Sequence, residues 1–251
     1  MPRHIEHGGA SDLAGKNSDK LVKLRLPGSI ADKLGSAIAR GIYPIGHILA
    51  GEIEASSELE VSRSAYRESL RILSAKGLVE SRPKVGTWVN ESSKWHLLDP
   101  DVIRWIFSAE PTRQLIEGLF ELRMIVEPAA AACAADRRTD AHLETMADAL
   151  ERMAVYTLAE EEGRKADLAF HNALLAATSN PLLTALSGTI SAAIQWTSIY
   201  KKRGNAIHLD PIPLHANILE AIRRKDTDGA RTAMQVVVQI SLNETLETRP
   251  V

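Results

Sequence analysis

The chain has 251 residues, of which 45% are hydrophobic and 25% charged, and its formal net charge is −2. That is enough polypeptide for one large domain or two modest ones with a buried core, and an ordinary balance for a globular protein. A single cysteine, Cys133, excludes an intrachain disulfide framework. No apolar run reaches membrane-spanning length and the first twenty residues lack a signal-peptide core, so the expected location is the cytoplasm, with no membrane partner.

Residues 1–22 are polar and glycine-containing and are expected to form a disordered tail. A first helix is predicted from about Gly28 to Arg40, with Ile30, Leu34, Ala37 and Ile38 as its apolar face and Gly41 as its stop. "GEIEASSELE" predicts a second, short helix, and Val61–Ser62 a tight turn. In "VSRSAYRESLRIL" a serine can accept from the first free backbone N–H groups, and Tyr66, Leu70 and Leu73 then recur at helical spacing. Arg63, Arg67 and Arg71 share a different face. Alone, such a basic stripe reads as a solvated helix surface. After it, "KGLVESRPKVGTWV" offers Gly77 as a C-cap and two short β runs around a Pro83–Gly86 turn.

Helix, helix, turn, helix and hairpin within roughly 60 residues make a winged helix-turn-helix, whose third helix enters the major groove while the wing touches adjacent backbone. Charge agrees with this: residues 62–90 carry six Lys/Arg against two Glu, whereas residues 91–251 carry 17 basic and 22 acidic residues. A basic patch on an acidic chain is the footprint of a module facing double-stranded DNA. The predicted organisation is a winged domain over 23–90, a linker over 91–100 and a helical domain over 101–251. Helices are expected near 101–109, 112–136, 139–157, 160–178, 182–203, 211–224 and 226–247, giving a mainly α fold that ends in an all-helical bundle.

Several polar residues sit on the apolar stripes of those helices. Asp167 and His171, four apart, lie with Leu168, Leu174 and Leu175; His215 lies one turn before Ile218, Leu219 and Ile222; Arg123 falls within Ile116, Leu119, Phe120 and Val126. A buried charge without a partner is expensive, so these groups should meet one another or a bound species. One carboxylate and two imidazoles suit Zn²⁺ or another borderline divalent ion with open positions. A lone helical histidine, by contrast, is usually only hydrogen-bonded. No HExxH, Walker, GxGxxG or GxSxG pattern is present, so an enzyme is not expected.

Residues 41–89 resemble the GntR-type bacterial transcription regulators, through Gly41, Gly46, Ser62-Arg63, Arg67-Glu68, Gly77-Leu78-Val79, Gly86 and Val89. Where the family has Leu-Pro-Ser-Glu this chain has Leu49-Ala50-Gly51-Glu52, and an expected leucine is Ala55. The resemblance implies that Ser62, Arg63, Ser64, Arg67, Lys84 and Gly86 contact DNA, and Arg71 extends the same stripe. The helical half resembles the FadR-type (FCD) ligand-binding domain, which implies a metal held by Asp167, His171 and His215, with Val237 where a further histidine is usual. "LDPDVIRWIF" and "ELRMIVEPAAA" are most similar to the galactonate-operon repressors. The implied function is a dimeric, ligand-responsive regulator on a palindromic operator, dimerised through its helical half and released by a small carboxylate such as a sugar acid. Arg123, Asn172 and Gln195 are the expected ligand contacts. The alternatives are a metal-free acyl or amino-acid sensor and a metal-dependent hydrolase.

Overall fold

The computed structural model describes residues 26–158, 160–203 and 210–248; the expected tail lies outside the described residues. The chain separates between Leu97 and Leu98 into two compact units.

In the N-terminal unit, α1 (Pro27–Ala39), α2 (Glu52–Glu58) and α3 (Arg63–Ala75) precede a hairpin of β1 (Val79–Arg82) and β2 (Gly86–Val89). Ser62 caps α3 by accepting from the Ala65 N–H at 3.1 Å, as its position in the sequence predicts. The inward face of α3 is Tyr66, Ser69 and Leu73, with Leu70 only half-buried. Burial of Ser69 is tolerated because its hydroxyl donates to the Tyr66 carbonyl at 2.6 Å. Tyr66 Oη donates to the Ala50 carbonyl at 2.9 Å and so ties the recognition helix to the start of α2.

The strands pair antiparallel from Val79 with Val89 to Arg82 with Gly86. A further extended segment, not visible in the sequence pattern, lies along β2: Gly46 and Leu49 donate to the carbonyls of Val89 and Thr87, and Ile48 bridges to Trp88. Segment 91–97 is folded rather than a bare tether. It forms a 3-10 turn at Ser92–Lys94; Trp95 Nε1 donates to the Asn90 carbonyl, and the His96 N–H to that of Lys76.

The C-terminal unit holds α4 (Pro100–Ser108), α5 (Arg113–Arg137), α6 (Asp140–Tyr156), α7 (Glu161–Ala177), α8 (Pro181–Ala185), α9 (Ser187–Arg203), α10 (Pro211–Arg223) and α11 (Thr227–Glu247). The predicted helix over 182–203 is in fact two. Leu186 closes α8 with an i→i+3 bond to Leu183, and α9 restarts at Ser187. In the bundle α5 packs chiefly on α11, α6 on α7, α10 on α11 and α4 on α9, with α7 also against α5 and α9. Small residues make the tight approach of α5 possible: Ala130, Ala131, Ala134 and Ala135 are all fully buried.

Gly77 is the residue on which the wing's placement turns. Its φ is +78°, and a Cβ there would lie 2.1 Å from the Lys94 carbonyl oxygen. Both the left-handed conformation and the close backbone approach require glycine. Gly77→Ala should destabilise the winged unit by about 2–4 kcal/mol, read as a lowered denaturant midpoint for that unit. An unchanged midpoint would refute the requirement.

Candidate functional site

The site in the helical unit is built from four buried ionisable groups and an arginine. On α5 the inward stripe runs Ile116, Phe120, Arg123, Glu127, Ala130 and Ala134, so Leu119 and Val126 of the expected stripe are only half-buried. Arg123 and Glu127 face inward one turn apart, with Nε and Oε1 2.6 Å apart and the guanidinium 5.0 Å above the Phe120 ring. On α7, Asp167 and His171 also face inward a turn apart, and α10 brings His215 to them. Each of these five residues is 5% exposed or less.

The inter-group distances define the chemistry. His215 Nε2 lies 3.2 Å from Asp167 Oδ1 and 3.4 Å from His171 Nε2, and His171 Nε2 lies 3.6 Å from the same carboxylate oxygen. Metal–ligand bonds of about 2.0–2.1 Å in a tetrahedral arrangement separate neighbouring ligand atoms by about 3.3–3.4 Å, so the three atoms match one face of such a tetrahedron. Asp167 Oδ1 is buried with no hydrogen-bond partner, an arrangement that is costly for a carboxylate unless a cation meets it. The remaining imidazole nitrogens are held from outside. His215 Nδ1–H donates to the Pro211 carbonyl at 2.8 Å, and Glu127 Oε2 lies 3.0 Å from His171 Nδ1. The Pro211 bond leaves the His215 Nε2 lone pair toward the carboxylate, the arrangement in which imidazole binds a metal, and His171 Nε2 lies on the same side. The residues present fit a divalent ion.

The electrostatics follow from the same contacts. Burial pushes the Glu127 carboxyl up, but the Arg123 guanidinium, aided by His171, overrides it and lowers the pKa to about 2. Burial also pushes Asp167 up, and the neighbouring His215 and His171 outweigh it, leaving the pKa below the ordinary value. For His215, burial works downward while the Asp167 carboxylate, the Pro211 carbonyl and Glu127 carry the pKa above the ordinary value.

A cavity of about 120 Å³ opens beside the triad, reached by Arg123, Asp167, His171 and His215 on one side. Val237, 8% exposed, also lines it. Asn172 and Gln195 do not. Each is one residue round its helix from an inward position, about 100° away, and is exposed; Asn172 instead accepts a hydrogen bond from Ser191 Oγ at 3.0 Å. The polar groups that line the cavity in their place are Thr197, Ser198, Lys201, Lys202, Ser241 and Glu244. Sequence reasoning missed these and Glu127. For Glu127 the signal was present, since it stands four residues from Arg123 on the same face.

In the winged unit Ser62, Arg63, Ser64 and Arg67 are exposed at the start of α3, and Arg71 follows on the same stripe, paired at 3.1 Å with Glu68. Lys84 and Gly86 lie at the hairpin turn, both with positive φ (66° and 110°) and both exposed. Arg82 stacks over Trp88 at 5.0 Å, and Glu80 is bonded to both Arg82 and Lys94, which stiffens the wing. Five basic side chains on α3 and the wing are thus presented to solvent, as phosphate and base contacts require.

Known proteins agree with both halves. Residues 26–89 match the model of the bacterial regulatory proteins of the gntR family, and residues 118–239 that of the FCD domain. The HTH-type transcriptional regulator YieP of Escherichia coli (strain K12) is 34% identical over 218 residues, covering 84% of this chain and 91% of the relative. The galactonate operon transcriptional repressor of the same organism is 32% identical over 209 residues, covering 83% and 91%. The solved structure of Lar, which controls expression of the Listeria monocytogenes agr system, shares the fold at 18% identity and a TM-score of 0.60, covering 89% of this chain and 98% of that one. With relatives of this identity and coverage that are regulators and not enzymes, the chain belongs to the GntR family of bacterial transcription regulators, a winged helix-turn-helix joined to an FCD domain.

Proposed function

We propose that the protein is a cytoplasmic repressor that binds a near-palindromic operator as a homodimer and is released by a small hydroxy acid bound at a divalent metal, most simply Zn²⁺. The observation that carries the reading is the triangle of Asp167, His171 and His215 ligand atoms, 3.2–3.6 Å on a side, opening on a cavity that Arg123 also lines. A metal there supplies an anchoring positive charge for a ligand carboxylate, and the guanidinium adds a second. Similarity to the galactonate operon repressor supports a sugar acid as the ligand class. One recognition helix reads few base pairs, and two-fold symmetry doubles the site.

On the DNA side, Arg63→Ala should weaken operator binding far more than binding to random DNA in a gel-shift titration. An equal loss on both would reduce Arg63 to a phosphate contact, and a monomer seated on one half-site by mass measurement would refute the dimer.

Elemental analysis should give close to one metal per chain, and His171→Ala should abolish it; equal metal in both would refute the site. Metal must displace the proton that His215 holds above its ordinary pKa of 6.5. Occupancy therefore falls as pH drops, because the proton competes for the imidazole nitrogen that the metal needs.

Operator affinity titrated with sugar acids should fall about 5- to 150-fold, the usual reach of an allosteric effector. Arg123→Lys should blunt the response while keeping a charge beside Glu127. Arg123→Ala is the poorer test, because it strands a buried carboxylate and costs about 3–5 kcal/mol of stability. A response to acyl-thioesters or amino acids, with none to sugar acids, would overturn the effector assignment.

A further inference from the structure

At the other end of the same cavity Lys201 of α9 is buried, 7% exposed, with Nζ 2.8 Å from Glu244 Oε2 and 3.3 Å from Ser241 Oγ, both on α11. We propose that Lys201, Glu244 and Ser241 form a second recognition point that reads the hydroxyl tail of the effector, which is therefore a polyhydroxy monocarboxylate of five or six carbons. The inference rests on the reading that a carboxylate is anchored at the metal and Arg123.

A buried ion pair contributes little net stability, since desolvation of both charges offsets their attraction. This one is also not sealed between helices: all three residues line the cavity that the metal triad lines. Its chemistry suits hydroxyls. An ammonium has three N–H donors, and among the described residues two are used, by Glu244 and Ser241, leaving one for a ligand. A hydroxyl can accept that bond and donate to the Glu244 carboxylate, which accepts more than one. A second ligand carboxylate would have to compete with the Glu244 carboxylate for the Lys201 ammonium, whereas a hydroxyl accepts from the one and donates to the other.

The spacing sets the length. On α11, Glu244 lies seven residues, about 10 Å, beyond Val237, which lines the cavity as well. An extended six-carbon acid, advancing about 1.3 Å per C–C bond, spans about 6–7 Å. One metal–oxygen bond and one hydrogen bond bring its reach to about 11 Å. A three-carbon hydroxy acid stops about 4 Å short.

The test is calorimetric titration of the zinc-loaded full chain, wild type, Glu244→Gln and Ser241→Ala, with galactonate, lactate and galactarate. The wild type should bind galactonate at least tenfold more tightly than lactate or the dicarboxylate. Both variants should weaken galactonate about tenfold while leaving lactate binding and zinc content unchanged. Lactate binding as tight as galactonate in the wild type, or variants that lose both acids equally, would overturn the proposal and leave the ion pair as a tie between α9 and α11. No binding of any of the three acids to the wild type would overturn the effector reading beneath it. Ser241→Ala removes a single hydroxyl, so its result stands even if the Glu244 variant unfolds.

Discussion

The helical unit depends on keeping charge inside an apolar bundle. Arg123, Glu127, His171, Asp167 and His215 would each be costly to bury alone. They are stable as a chain in which every charge faces its opposite or a group that can become so: guanidinium to carboxylate at 2.6 Å, carboxylate to imidazole at 3.0 Å, imidazoles to the second carboxylate at 3.2 and 3.6 Å. The helices are placed by this requirement as much as by their leucines. α5, α7 and α10 must meet at one level for the chain to close, and the alanine-lined face of α5 lets backbones come near enough. By hydrogen-bond geometry the network leaves Glu127 Oε2, His171 Nδ1 and Asp167 Oδ1 unsatisfied, and the last is the atom a cation would meet.

This explains what the sequence made legible. A polar residue on an apolar stripe is conspicuous, so Asp167, His171, His215 and Arg123 stood out, and all four are buried where helical phase put them. Glu127 did not, because including Leu119 and Val126 in the α5 stripe shifted its phase by one residue. Over a helix of 25 residues the inward line is held by packing on neighbouring helices, not by each local set of apolar side chains. Asn172 and Gln195 failed for a related reason. Being next to an inward residue in sequence means being about 100° from it on the helix.

Long-range pairings were hidden more deeply. Lys201 stands in the run "YKKR", which reads as a solvated helix end, and its partners Ser241 and Glu244 lie 40 and 43 residues away. Nothing in a single chain's periodicity announces such a pair. The winged unit was the opposite case, since its signals are local: a serine cap, a basic stripe every fourth residue, a glycine stop and a turn between β runs. Only the extended segment around Ile48 escaped, because one bridge and three backbone bonds leave no alternating pattern.

The same geometry bears on how such a site acts as a switch. A ligand shifts an equilibrium only through unequal affinity for its two states. The cavity is lined from α5, α7, α9, α10 and α11, so a molecule that touches the triad at one end and Lys201 at the other senses the spacing of five helices at once. A small rotation or slide of one of them lengthens several short polar contacts together, and contacts of that kind lose strength steeply with distance and angle. Val237 contributes by being apolar. Were a divalent ion held by Asp167, His171 and His215, as proposed, valine would add no ligand from this side and the ion's remaining positions would be filled by whatever enters the cavity. On this reading the occupant's own oxygens take part in fixing the distance between helices, and differential affinity follows from bonds that only one arrangement of the bundle can make.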